Sequence, residues 1–369
     1  MANMISILLA LITSFIVSFI AIPSIIHMAE VKHLFDEPDE RKCHAHKTPT
    51  LGGLAIFAGL IFSLTFWSNQ VAIVELQYII SAVIMLFFMG MKDDIFNLKA
   101  LTKLVGQLMA SFILVHWAGI KITTFYGLFG IQDLPLIPTY ILSIFSIVVI
   151  TNAFNLIDGI DGLAASVGIV ASSIFGFWFF SAGVIQYAIL ASCMVGALLG
   201  FLYYNRSPAR IFMGDTGSLI VGVILSILAI KFIEMNRVLD RTHPNKVLVV
   251  PVVTLAILVI PLFDTLRVFT IRILQGRSPM SADRNHIHHL LLSLGFTHNQ
   301  TTLTLVSFNV LMIALVYYFQ FVKGEILLAL LLGTCIFVSS FVAARVRRKS
   351  VGVVAQTFAA SDDKEEHIQ

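Results

Sequence analysis

Residues 152–165 read NAFNLIDGIDGLAA and sit between the apolar runs YILSIFSIVVIT and SVGIVASSIFGFWFF. Asn152, Asn155, Asp158 and Asp161 recur there at every third position. A carboxylate is costly in hydrocarbon, so such a stripe should face a protein interior or an aqueous mouth. Asp158 and Asp161 become neighbours if the turn is helical, and Gly159 and Gly162 allow a close backbone approach or a break. The pair then offers metal ligands or hydrogen-bond acceptors. The plain alternative is a tight polar loop joining two spans.

Four more clusters carry chemistry-bearing types. In KDDIFNLKALTK (92–103), Asp93 and Asp94 would point about 100° apart on a helix, so one can face a cavity while the other makes a supporting bond. Lys92, Lys99 and Lys103 lie close by. In NRSPARIFMGDTGS (205–218), Asp215 is bracketed by glycines. Thr216, Gly217 and Ser218 could cap the next helix or leave N–H groups for an anion, and Phe212 could stack on a base or anchor at an interface. DEPDERKCHAHKTPTLGG (36–53) contributes Lys47 among other basic groups. GRSPMSADRNHIHHLL (276–291) contributes Arg284, His286, His288 and His289. Three histidines in four residues invite a zinc reading, but no HExxH and no cysteine partner accompany them, and His and Arg suit phosphate better. Asp264 in PLFDTLRVF pairs with Arg267 at i, i+3 and is taken as structural.

The elements that must position these groups are membrane helices. The chain has 369 residues, of which 58% are hydrophobic and only 12% charged, against about 25% charged in an ordinary soluble domain; mean hydropathy is +0.91. Cys43, Cys193 and Cys335 are far apart and form no CxxC or disulfide framework. The N-terminal run lacks a basic n-region and exceeds a signal-peptide core, so it is expected to be an uncleaved first span. At about 20 apolar residues per crossing, eleven spans are expected, near 4–29, 50–68, 76–91, 103–118, 139–157, 162–181, 186–203, 218–234, 247–270, 301–320 and 324–343. The fold class is therefore an all-α polytopic membrane protein, one domain over 1–343 followed by a tail at 344–369 that is basic and then disordered.

An odd number of spans places the termini on opposite sides. Of the 24 Lys and Arg residues, only Lys121, Lys231, Arg237, Arg241, Lys246 and Lys323 fall on the side away from the C-terminus. The positive-inside bias makes the C-terminal side cytoplasmic and puts the N-terminus outside. All five polar clusters lie on that cytoplasmic side. Taken singly, each has a bland explanation as a solvated helix end, a loop or a cap. Together they match transfer between two phosphorylated substrates: the anions must be screened by Mg²⁺ and cationic side chains, and an in-line attack must be positioned. A site at headgroup depth implies a lipid phosphate on one side of the reaction and a cytosolic donor on the other. An ion-coupled transporter would instead place its polar residues near the bilayer midplane, with exits to both faces.

These five motifs, over residues 1–343, closely resemble the polyprenyl-phosphate N-acetylhexosamine-1-phosphate transferase family. Within it, NAFNLIDGIDGL and SPMSADRNHIHHLLLSLGF are similar to the bacterial undecaprenyl-phosphate α-N-acetylglucosaminyl 1-phosphate branch. The muramoyl-pentapeptide branch has a contiguous His triplet, which Ile287 interrupts here. The resemblance implies UDP-GlcNAc plus undecaprenyl phosphate giving undecaprenyl-diphospho-GlcNAc and UMP, as the first membrane step of a cell-surface glycan. Another UDP-N-acetylhexosamine, or the UDP-muramoyl pentapeptide, is the alternative donor. It implies Mg²⁺ (with Mn²⁺ as a substitute) on Asp215 and Asn155, and Asp93, Asp94 and Lys103 at the lipid phosphate. It assigns uridine contacts to Lys47, Asp161, Asn205 and Phe212. Arg284, His286, His288 and His289 fall to the diphosphate and sugar, with His288 among the catalytic groups, and Asn152 and Asp158 support the site. The expected setting is the bacterial inner membrane with the site facing the cytoplasm, no nucleic-acid partner, and the homodimer known in the family.

Overall fold

The computed structural model describes residues 2–32, 48–67, 74–240, 242–277 and 285–366, with side chains from 3 to 349. Thirteen α-helices follow one another among the described residues: α1 (Ala2–Lys32), α2 (Gly52–Trp67), α3 (Leu76–Phe96), α4 (Ala100–Phe112), α5 (Leu136–Ile157), α6 (Leu163–Ser181), α7 (Ile185–Asn205), α8 (Gly214–Val238), α9 (Val250–Ile257), α10 (Val259–Leu274), α11 (Ile287–Leu294), α12 (His298–Tyr318) and α13 (Gly324–Glu366). A π turn, Ile113–Trp117, extends α4. The described residues contain no strand beyond one bridge, Thr124 to Asp133.

Among the described residues eight helices are long and apolar enough to cross a membrane, or nine if the bent pair α9–α10 counts as one span. Eleven crossings are expected from the sequence; α2 is shorter, at 16 residues, and α3 has 21. Two other features depart from expectation. The backbone of α13 continues as helix through 344–366, where the sequence predicts a disordered tail. The span expected over 247–270 is two helices bent by 82°.

That break has a local cause. Pro261 lacks an N–H and cannot bond the carbonyl of Ile257, four residues earlier, which removes a rung from the ladder. The buried Asn309 of α12 makes good the loss, its Nδ2 donating to Ala256 O at 3.0 Å and to Ile257 O at 3.3 Å.

α8 is the axis of the bundle, buried along its whole membrane window. Its one lysine in that window, Lys231, meets Glu75 Oε1 at 2.7 Å, so the charge is paired where water is scarce. At the other end of α8 the neighbours come in backbone to backbone. A Cβ on Gly90 of α3 would lie 2.5 Å from Thr216 Cα, and one on Gly53 of α2 would lie 2.2 Å from Gly217 N. Glycine there lets the ends of α2, α3 and α8 converge. The segment before α2 is fastened to the same place, with Gly52 N and Gly53 N donating to Phe212 O and Met213 O, both at 2.9 Å.

Candidate active site

The C-terminal ends of α3 and α5 and the N-terminal ends of α4 and α8 meet at one end of the bundle. Lys103, on the first turn of α4, bridges Asp93 and Asp215: its Nζ lies 2.6 Å from Asp215 Oδ2 and is also paired with Asp93 Oδ2. Asn155 on α5 completes the group, its Nδ2 donating to Asp215 Oδ1 at 2.8 Å and to Ser218 Oγ at 2.9 Å. Four stretches separated by up to 122 residues are thus brought to one point, and the two residues expected to hold a metal are in contact.

Asp94 turns the other way. Its carboxylate accepts from Asp215 N at 2.7 Å, from Thr216 N at 3.0 Å and from Thr216 Oγ1 at 2.5 Å. Two N–H groups at the start of α8 are therefore filled by the chain itself. Asp94 locks α3 to α8, while Asp93 turns to Lys103.

Asp158 and Asp161 also part company, because α5 ends at Ile157 and Gly162 takes a left-handed φ of 75°. They are not neighbours on one helical face. Burial pushes the Asp158 carboxyl well above the usual carboxylate range, and the charges of Asp215 and Asp94 push it further the same way. Burial first, and the neighbouring acids after it, thus favour the neutral form of this carboxyl. Asp161, 4% exposed, accepts from Ala209 N at 3.2 Å and pairs with His298 at 3.3 Å. It faces the 206–213 loop, where Phe212 is half-buried.

Asn205 bonds backbone on both sides: Oδ1 accepts from Gly162 N at 2.9 Å and Nδ2 donates to Ile211 O at 2.8 Å. It ties those two loops together. Asn152 forms a reciprocal amide pair with Gln107 at 2.5 and 3.2 Å. Since Gln107 lies one turn from Lys103, that pair sets α4 against α5 and with it the lysine against Asn155.

The histidines lie on and just before the short helix α11. His286 Nδ1 lies 2.8 Å from Asp264 Oδ2. His288 is 1% exposed, its Nδ1 has no partner among the described residues, and its Nε2 abuts Gly159 beside Asp158. Burial and then His289 push the His288 imidazole down to about 3, so it is neutral at physiological pH. It props α11 against the 158–162 loop. His289 is half-buried, with its ring 4.3 Å from that of His288. Lys47 and Arg284 lie outside the described residues.

Residues 76–233, which carry most of this geometry, match the family described as Glycosyl transferase family 4. The chain is 34% identical over 305 residues, 82% of each chain, to the probable undecaprenyl-phosphate N-acetylglucosaminyl 1-phosphate transferase of Bacillus subtilis (strain 168). The chain belongs to the polyprenyl-phosphate N-acetylhexosamine-1-phosphate transferase family. Similarity extends to the undecaprenyl-phosphate alpha-N-acetylglucosaminyl 1-phosphate transferase of Escherichia coli (strain K12), 30% identical over 307 residues and 81% of each chain. It extends also to the decaprenyl-phosphate N-acetylglucosaminephosphotransferase of Mycolicibacterium smegmatis, 32% over 289 residues, 72% of this chain and 70% of that one.

As a member of this transferase family, the protein uses several residues that sequence reasoning passed over. Gln107 and His298 had no signal beyond being polar near an apolar run. Asp264 did have one: a carboxylate 1% exposed inside a membrane-like stretch needs a specific partner. That partner is His286 and not chiefly Arg267, which stands 3.9 Å away.

Proposed function

We propose that the protein transfers GlcNAc-1-phosphate from UDP-GlcNAc to undecaprenyl phosphate, with Mg²⁺, at the cytoplasmic face of a bacterial inner membrane. The observation that carries this reading is the Lys103 bridge between Asp93 and Asp215, beside Asn155. One lysine among crowded acids leaves the pocket electronegative, and it is built of hard oxygen donors, which suits Mg²⁺. Among the described residues no three acid, His or Cys side chains converge as a closed metal site. Asp215, with Asn155 beside it, would hold the ion and leave most of its coordination to substrate phosphates and water. When bound, Mg²⁺ neutralises charge on the phosphoryl oxygens.

A lipid-phosphate oxygen bonds to the phosphorus that bears the sugar, while the bond from that phosphorus to the UMP oxygen breaks. UMP leaves with the electron pair. One phosphoanhydride replaces another, so the step is nearly isoenergetic. Lys103 supplies the positive charge that lets two anions approach, and Asp93 fixes where its ammonium sits. A phosphate monoester, with its second pKa of about 6, is already largely dianionic at neutral pH, so Asp93 positions and need not deprotonate. Asp161 and the 206–213 loop, held by Asn205, form the side of the pocket toward the uridine, and His286 and His289 form the side toward the diphosphate and sugar. The excess of Lys and Arg on the C-terminal side supports the cytoplasmic orientation.

The test incubates purified protein with undecaprenyl phosphate, Mg²⁺ and one UDP-sugar at a time. UDP-GlcNAc should yield UMP and a chloroform-soluble sugar, and EDTA should stop both. A lipid product formed only from another UDP-sugar would overturn the donor assignment.

A further inference from the structure

We infer that Asp264 is a positioning residue for the transfer: it grips His286 by Nδ1 and so leaves Nε2 as an acceptor for a hydroxyl or amide N–H of the substrate sugar. The inference deepens the transferase reading above and rests on it.

One turn of α10 holds three consecutive residues at the start of α11. Asp264 Oδ2 lies 2.8 Å from His286 Nδ1, and Oδ1 accepts from Ile287 N at 2.9 Å. Arg267 Nη1 donates to Asn285 O at 2.6 Å. Capping α11 requires only the Ile287 bond. The second carboxylate oxygen is spent on the imidazole, at a point where Asp264 and His286 are 1% and 4% exposed. A carboxylate only accepts, so Nδ1 must carry the hydrogen, and the ring orientation and tautomer follow. With Nδ1 as the donor, Nε2 is left as an acceptor, which suits a hydroxyl or N–H of the sugar and not an anionic phosphate oxygen. The ring also lies beside the acid cluster: it stacks 5.6 Å from His288, whose Nε2 meets Gly159 next to Asp158. α10 reaches this place because the 82° break turns it out of line with α9.

The test compares UMP release by wild type, Asp264→Asn, His286→Gln and the double variant, with melting midpoints measured in detergent. In Asp264→Asn the amide oxygen can still accept from Ile287 N, while its NH₂ faces Nδ1 and drives the ring to the opposite tautomer. The expected result is a ~10–100-fold loss in kcat/KM, the range for an outer residue that orients a functional histidine. The double variant should be no worse than His286→Gln alone, because Asp264 acts through the ring. Wild-type kcat/KM in Asp264→Asn, or losses that add in the double variant, would overturn the inference.

A second pair leaves Asp264 untouched, so it decides the matter even if Asp264→Asn fails to fold. Gln at 286 places its amide near the position of Nε2, and Asn places it near Nδ1. His286→Gln should retain more activity than His286→Asn, and the reverse order would count against Nε2. If wild type itself releases no UMP, the transferase reading fails. If wild type turns over and only these comparisons go wrong, the Asp264 assignment fails alone.

Discussion

Asp93 and Asp94 are chain neighbours with different partners, and their variants should separate. Asp215→Asn and Asp93→Asn change the charge around Lys103 without removing a helix cap, so UMP release should be lost while the melting midpoint stays near wild type. Asp94→Ala instead leaves Asp215 N, Thr216 N and the Thr216 hydroxyl without their acceptor. Loss of such a cap costs about 1–2 kcal/mol, so this variant should melt earlier. Equal thermal stability in Asp94→Ala and Asp215→Asn would remove the distinction. His288 makes a pH prediction. Its pKa falls from 6.5 to about 3 on folding, so the folded state holds it neutral. The stabilisation is complete above pH 6.5 and drains away as pH falls toward 3, at up to ~1.4 kcal/mol per pH unit. His288→Gln should flatten that slope. Melting curves at pH 7.5 and pH 5 check it, and parallel losses in the two proteins would argue against a buried neutral imidazole.

At the scale of elements, the break between α9 and α10 is the feature most open to test. Asn309→Leu keeps the branched shape and the number of heavy atoms but removes the amide donor to Ala256 O and Ile257 O in a buried place. Each such carbonyl costs about 1–3 kcal/mol, so the variant should melt markedly lower. Pro261→Ala restores an N–H that can reach Ile257 O, and adding it to Asn309→Leu should recover part of the loss. A double variant no better than Asn309→Leu alone would show that the proline is not what opens the ladder. The same two helices connect to the chemistry, because α10 carries Asp264 and through it sets the start of α11.

Over the whole molecule, the polar clusters among the described residues lie at one end of the bundle, while the opposite end carries the Glu75–Lys231 pair and the Thr124–Asp133 bridge. The proposed orientation puts the first end in the cytoplasm. In a background without Cys43, Cys193 and Cys335, a cysteine at Asp133 should react with an impermeant reagent added outside intact cells, and one at Arg277 should not. The opposite pattern would invert the topology and with it the source of the nucleotide sugar.

The apolar runs and their polar interruptions settled by themselves that this is a helical membrane protein with its chemistry-bearing residues at helix ends, since hydrocarbon tolerates neither open backbone nor scattered charge. The motifs also sufficed to place the chain in its family. Tertiary structure decided which oxygen faces which group. Asp93 and Asp94 look equivalent in a linear pattern, and only the close approach of α3 to α8 through Gly90 turns one into a cap and leaves the other beside Lys103. Asp158 and Asp161 keep the spacing of a helical pair, but the helix stops between Ile157 and Gly162 and sends them to different partners. Asp264 and His286 are 22 residues apart and on different helices. Their contact depends on a bend whose mate, Asn309, comes from a third helix, and no local periodicity encodes a bond of that kind.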